Sequence, residues 1–190
     1  HIKKIVQRQG KWMSVAFFTG LITMFTMFGV LFYFSDYLEN MLKMDGLIKG
    51  FILAIPLLGL CLTSYIVGLY VKQKIGHMKW LITIGLGISC IMMTLVPWAG
   101  QFLFLSILLL LIGVGCGLIL PCLNTLITSA VGYQERGMIT SLYSSVRFLG
   151  VALGPPTFGA FNAQPRLLFL SISALLFLTT FLAIFFIRKP

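Results

Sequence analysis

The sequence has 190 residues, of which 59% are hydrophobic and only 9% charged, with a mean hydropathy of +1.03, far too apolar for a domain that folds in water. Its formal net charge is +10, from 14 Lys and Arg against 4 Asp and Glu. The cations fall between long apolar runs instead of forming one patch, which argues against nucleic acid as a partner and makes the charge a topology signal.

A hydrocarbon core of about 30 Å needs about 20 residues of helix, and six stretches of that kind follow one another. The first, 12–35, comes after the cations Lys3, Lys4, Arg8 and Lys11. It is of span length, lacks a small-residue cleavage pattern and is followed by further spans, so it reads as a membrane helix and not a signal peptide. The second, 47–71, stops at Lys72. The third, 80–98, ends near Pro97 and Gly100, and the fourth, 102–130, carries Pro121. Arg147 lies inside the fifth, 138–161, and the sixth, 167–187, ends at Arg188 and Lys189. The expected fold is an all-α membrane protein, a single bundle of six transmembrane helices over residues 1–190. A chain that starts with His1 instead of Met is expected to be a fragment or a processed product.

Alternating these spans across the bilayer puts Lys3, Lys4, Arg8, Lys11, Lys72, Lys74, Lys79, Arg136, Arg188 and Lys189 on one side, against Lys43, Lys49 and Arg166 on the other. The crowded side is expected to be the cytoplasm, with both termini there and the chain in a bacterial plasma membrane. Trp12, Trp80 and Trp98 sit near span boundaries, as interfacial Trp does. Cys61, Cys90, Cys116 and Cys122 all lie in apolar runs without metal-ligand spacing and read as small packing residues.

The fourth span holds Gly113, Gly115 and Gly117 ahead of Pro121, and two readings stand. Either the helix is bent or locally unwound, or the glycines let neighbours approach closely. Asn124 beyond them is a candidate for bonding a substrate or a neighbouring helix. In the fifth span, Gly150 and Gly154 share one face where another backbone can pack, while Pro155 and Pro156 remove donors and are expected to bend the helix. If that helix enters the membrane near Gly137, Arg147 starts roughly 15 Å deep, where a lone cation is costly and faces a bundle interior, water or a partner. Tyr143, Arg147 and Gly150 share a face at helical spacing. Arg147 is therefore a candidate substrate, lipid-headgroup or coupling contact, the alternative being a side chain that snorkels to the surface. Asp36, Glu39, Asp45 and Glu135 all lie near span ends, so no carboxylate is expected deep in the membrane. There is also no P-loop, nucleophile-elbow pattern or histidine cluster. Neither catalytic residues nor a metal site nor an enzyme is expected.

The run Gly150-Val-Ala-Leu-Gly154-Pro155-Pro156-Thr-Phe-Gly159 resembles the antiporter motif of the major facilitator superfamily: Gly, three variable residues, Gly-Pro, two variable residues, Gly-Gly. Gly150, Gly154, Pro155 and Gly159 match, and Phe158 replaces the first closing glycine. The loop after the second span resembles a decayed copy of the family's cytoplasmic signature. Lys74, Gly76 and Lys79 match it, while Gln73 stands at the acidic position and Leu69 at the first glycine. Gln134-Glu135-Arg136-Gly137 has the acidic, Arg-Gly character common before the eleventh helix of these transporters.

The resemblance implies the C-terminal six-helix half of a twelve-helix major facilitator transporter, most like bacterial drug:proton antiporters of the multidrug-resistance type. It implies efflux of an amphipathic small molecule by alternating access against a missing N-terminal half. No cofactor is implied beyond a proton gradient, with the coupling acid outside this chain. Two other expectations stay open: a membrane-embedded scaffold or interaction subunit, and a half-size carrier that homodimerises.

Overall fold

The computed structural model describes residues 2–44, 46–73, 75–161 and 164–187, with side chains for all of these but 2–9, 11, 72, 73 and 75. Six helices follow in chain order: α1 (Ile2–Asn40), α2 (Gly46–Gln73), α3 (Met78–Leu95), α4 (Phe102–Ser129), α5 (Tyr133–Ala160) and α6 (Pro165–Phe186). Single 3₁₀ turns, Ile75–His77 and Val96–Trp98, flank α3. The described residues contain no strand. Five helices are long and apolar enough to cross a membrane, at Trp12–Asn40, Gly46–Val71, Met78–Trp98, Phe102–Ser129 and Pro165–Phe186. α5 is not among them, although at 28 residues it matches α2 and α4 in length. Thr140, Ser141, Ser144, Ser145 and Arg147 dilute its apolar character.

The helices outrun the apolar stretches that mark them. α1 extends through the basic segment before residue 12 and on to Asn40, and α5 begins at Tyr133, ahead of the expected 138. Apolar length reports the hydrocarbon core, whereas helical hydrogen bonding continues into water wherever Gln, Glu and Arg permit it. Pro165 opens α6, where the missing N–H has no helical partner to lose.

α1 and α4 form the centre, with 56% and 61% of their apolar windows buried, against 17% for α2. α4 packs on α2, α3 and α1, while α1 packs on α5, α4 and α6, and α3 also meets α6. Phe34 and Leu38 of α1, Leu86 of α3, Ile112 and Ile119 of α4 and Phe169 of α6 are fully enclosed. Outward rows such as Leu58, Leu62 and Ile66 of α2 and Phe177, Phe181 and Phe185 of α6 are exposed, a surface suited to hydrocarbon and not to water.

Of the two readings of the fourth span, close packing is the one the structure shows: α4 is one uninterrupted helix through Gly113, Gly115, Gly117 and Pro121, with no local unwinding. Its glycines serve close packing. A Cβ at Gly113 would strike the Pro56 carbonyl of α2, and one at Gly117 would lie 2.7 Å from the Leu60 carbonyl. Gly115 faces the other way, onto Gly85 and Ser89 of α3. Pro155 and Pro156 likewise stay inside α5, which continues to Ala160. At the end bearing the α1–α2 connection, the Lys49 ammonium donates to Glu39 at 2.6 Å.

The cysteines divide. Cys116 and Cys122 are buried and Cys90 is half-buried, its thiol donating to the Ser173 carbonyl at 3.4 Å. Cys61 corrects the reading of all four as packing residues, since it is exposed on the outward face of α2. Lys74, Arg188 and Lys189, which entered the topology argument, and Asp45, named among the carboxylates near span ends, lie outside the described residues.

Candidate functional site

α5 rests along α1 with small residues on both sides of the seam. A Cβ on Gly150 would strike the Leu21 carbonyl, and one on Gly154 would come within 2.8 Å of the Phe25 carbonyl and 2.9 Å of the Gly29 amide. α1 returns the arrangement: Tyr143 lies across Gly20, and the Phe158 ring covers Gly29. Gly150 meets Leu21, Gly154 meets Phe25 and Phe158 meets Gly29, so the contacts advance together and the two helices run parallel. Backbone-to-backbone approach of this kind drives helix association in lipid, where apolar side chains gain little by leaving hydrocarbon for each other. Phe158, at the position of the first closing glycine, is thus compensated by a glycine on the opposite helix. Its ring also lies 6.0 Å from that of Phe25 and 5.7 Å from that of Phe169.

Arg147 flanks this seam near the middle of α5, about 21 Å along the axis from Tyr133 at about 1.5 Å per residue. Its Nη1 donates to Asn124 Oδ1 of α4 at 3.2 Å, and its guanidinium carbon lies 5.4 Å from the Tyr143 ring centroid. The three residues singled out as pathway candidates therefore form one cluster. Asn124 sits only about 7.5 Å before the end of α4. Helical side chains lean toward the N-terminus, so the guanidinium reaches back from a mid-helix Cα toward the end of the bundle where α4 turns into α5. That direction is the one the snorkelling reading requires, and Arg147 is not among the residues that line the hollow on α5.

The cluster is incompletely satisfied. Arg147 Nε and the Tyr143 hydroxyl are both shielded from solvent without a hydrogen bond of full geometry, although the two side chains lie against each other. Lys49 pairs with Glu39 at the other end of the bundle, remote from Arg147. Arg147 therefore has a dipole for a neighbour and no described counter-ion. Alongside, the first half of α5 presents Thr140, Ser141, Ser144 and Ser145 to an open groove of about 710 Å³ that Arg136 and Phe148 also border. Thr140, Ser141 and Ser145 donate back to carbonyls of their own helix at 2.7–3.0 Å, leaving their oxygens as acceptors.

Among the described residues, the remaining motif positions assemble no site. Gly76 is exposed in the turn before α3, with open space where a Cβ would stand, and Lys79 is half-buried in the first turn of α3. Gln73 closes α2, its side chain outside the described residues, as Lys74 is altogether. His77 is exposed, its ring 6.1 Å from that of Tyr70. Gly159 is exposed beside Phe32, and Pro155 is half-buried. Glu135 lies in the first turn of α5, favourably placed at the positive end of its dipole. Among the described residues it makes no ion pair with Arg136. No described group of His, Cys, Asp and Glu has the geometry of a metal site.

Sequence reasoning missed Gly20 and Gly29; Ala16 and Gly20 have the small-x-x-x-small spacing that could have marked the seam, whereas Gly29 has no such partner. It also missed the bond between Thr94 Oγ1 and Ser173 Oγ at 2.6 Å that ties α3 to α6. A hydroxyl in each of two spans was the available signal, but without a fold nothing paired them.

Comparison with known proteins bears on the family and the fold. The family model for the Major Facilitator Superfamily matches residues 4–190. The bacillibactin exporter of Bacillus subtilis (strain 168) is 40% identical over 173 residues, which is 91% of this chain and 43% of the exporter. The crystal structure of the human organic anion transporter MFSD10 (TETRAN) superposes with a TM-score of 0.75 at 18% identity, over 90% of this chain and 40% of that one. At that identity the likeness is one of fold. The chain thus spans less than half the length of each.

Proposed function

Because the chain belongs to the major facilitator superfamily, we propose that it forms the C-terminal six-helix half of a secondary transporter that exports an amphipathic small molecule by alternating access. The observation that carries this reading is the bonded pair Arg147–Asn124, a cation set near mid-helix in the helix of this bundle that falls short in apolar character. A charge so placed in a multi-pass membrane protein marks a pathway, because its cost in hydrocarbon is removed only by water, protein or a ligand. The name of the Bacillus relative supports export of a small molecule of the bacillibactin kind. The 43% coverage of that relative supports a second, N-terminal half.

In this reading the bundle rocks as a rigid body on its partner half, and the α1–α5 and α2–α4 seams keep it rigid. The groove on α5 opens to the cytoplasm, where both termini lie, and the host membrane is the bacterial inner membrane. No carboxylate lies deep in the described helices, so a proton gradient would be coupled through an acid in the other half. The test is accumulation of bacillibactin in everted membrane vesicles containing the full-length protein. Energised accumulation that collapses with the proton gradient is expected; vesicles that accumulate no more than those lacking the protein contradict the reading.

A further inference from the structure

We infer that Arg147 is the docking point for an oxyanion, a carboxylate or its equivalent, carried by the transported molecule. The inference rests on the reading of α5 as a pathway helix and adds the charge of the substrate to it.

The argument starts from charge balance. The whole sequence holds four acidic residues. Asp36 and Glu39 lie in the last turns of α1, at the opposite end of the bundle, where Glu39 is already bonded to Lys49. Asp45 precedes α2 in the sequence. Glu135 is three turns before Arg147 on α5, about 18 Å away along the axis. Among the described residues no carboxylate reaches the guanidinium, and its counter-charge comes from elsewhere.

Geometry then indicates what kind of group fits. A guanidinium presents about five N–H donors, and its planar edges offer them in parallel pairs matched to the two oxygens of a carboxylate. Asn124 accepts from Nη1 in an exposed bond that fixes the plane of the group. Nε is shielded from solvent, so a guest meets the Nη end. An amide neighbour orients the cation without neutralising it, so the charge stays available to a guest that must leave again. A permanent carboxylate would instead hold it in a fixed pair.

The surroundings suit a small molecule more than a lipid. Thr140 and Ser144 lie on the strip of α5 that leads to Arg147, and hydroxyls on a membrane helix face water or protein. They border the open hollow, whose lining residues all belong to α5, so that its opposite wall would come from the partner half. Phe148 supplies an apolar wall.

The test uses an isosteric pair of probes, 1-naphthoate and 1-naphthamide, which differ in charge and hardly in shape. Binding is read as ligand-dependent thermal stabilisation of the purified full-length protein in detergent. Wild type is expected to bind the naphthoate at least about tenfold more tightly than the amide. Arg147→Gln is expected to remove that preference while leaving amide affinity within about twofold, and Arg147→Lys to keep part of it, since an ammonium supplies charge without the fork. Four results overturn the inference. They are no naphthoate preference in wild type, a preference that survives Arg147→Gln, equal loss of both probes, and loss only of stabilisation by phosphatidylglycerol, which would assign the charge to lipid. Equal loss would assign it to a carboxylate of the partner half. Binding in detergent involves no transport, so failure here is distinct from failure of vesicle accumulation.

Discussion

The α1–α5 and α2–α4 seams solve one packing problem in the same way and differ in what borders them. Each joins two parallel helices through a pair of glycines one turn apart, Gly150 and Gly154 on α5 and Gly113 and Gly117 on α4, seated on carbonyls of the opposite helix. Beside the α2–α4 seam the polar contact is modest, Ser64 Oγ donating to the Gly117 carbonyl at 3.3 Å. Beside the α1–α5 seam stand Arg147, Asn124 and Tyr143, with two shielded polar atoms among them that lack a hydrogen bond of full geometry. Rigid close packing is thus common to both seams, while unsatisfied polar chemistry belongs to one. Strain of this kind collects where a protein works and not where it merely holds together.

If the seams are equivalent as structure, Gly154→Leu and Gly113→Leu should be equally damaging. A side chain there meets backbone that cannot swing aside, and each variant should yield almost no monodisperse protein by size-exclusion chromatography in detergent. A large difference between them would break the equivalence. If they differ as function, Arg147→Gln should lower transport at least about tenfold with the folded yield unchanged, whereas Ser64→Ala on the other seam should leave transport within about twofold.

Smaller effects sharpen the α1–α5 account. Gly29→Ala should destabilise by about 1–3 kcal/mol, because the Phe158 ring already fills that space. In a Phe158→Ala background the same change should cost little, and thermal melts of the four proteins in a double-mutant cycle read the coupling. The smallest effect is expected at neither seam. Glu39→Gln removes the exposed pair with Lys49 and should cost about 0.2–1 kcal/mol, less in high salt.

Much of this was legible in the sequence because a bilayer leaves few structural choices. Apolar length suggested six spans, of which five helices are apolar enough to cross a membrane, the polar face of α5 setting it apart. Arg147, Tyr143 and Asn124 stood out because polar groups in apolar runs are costly. Their convergence was not legible, since Arg147 and Asn124 belong to different helices, and only a fold sets an arginine near the middle of one beside the last turns of another. The glycines of α4 could be read as hinge or as seam until Pro56 and Leu60 appeared opposite them. Cys61 misled because apolar surroundings in sequence describe hydrocarbon and protein interior alike.

The central claim is that the hydroxyl face of α5 borders a water-filled path and not lipid. Labelling with a membrane-impermeant maleimide tests it most directly, in everted vesicles holding the full-length protein with Cys61, Cys90, Cys116 and Cys122 replaced by Ala. Ser144→Cys is predicted to react at least about tenfold faster than Leu178→Cys on the exposed apolar face of α6, because only a wetted thiol ionises and meets the reagent. Equal, slow labelling at both positions would place α5 against lipid and contradict the account.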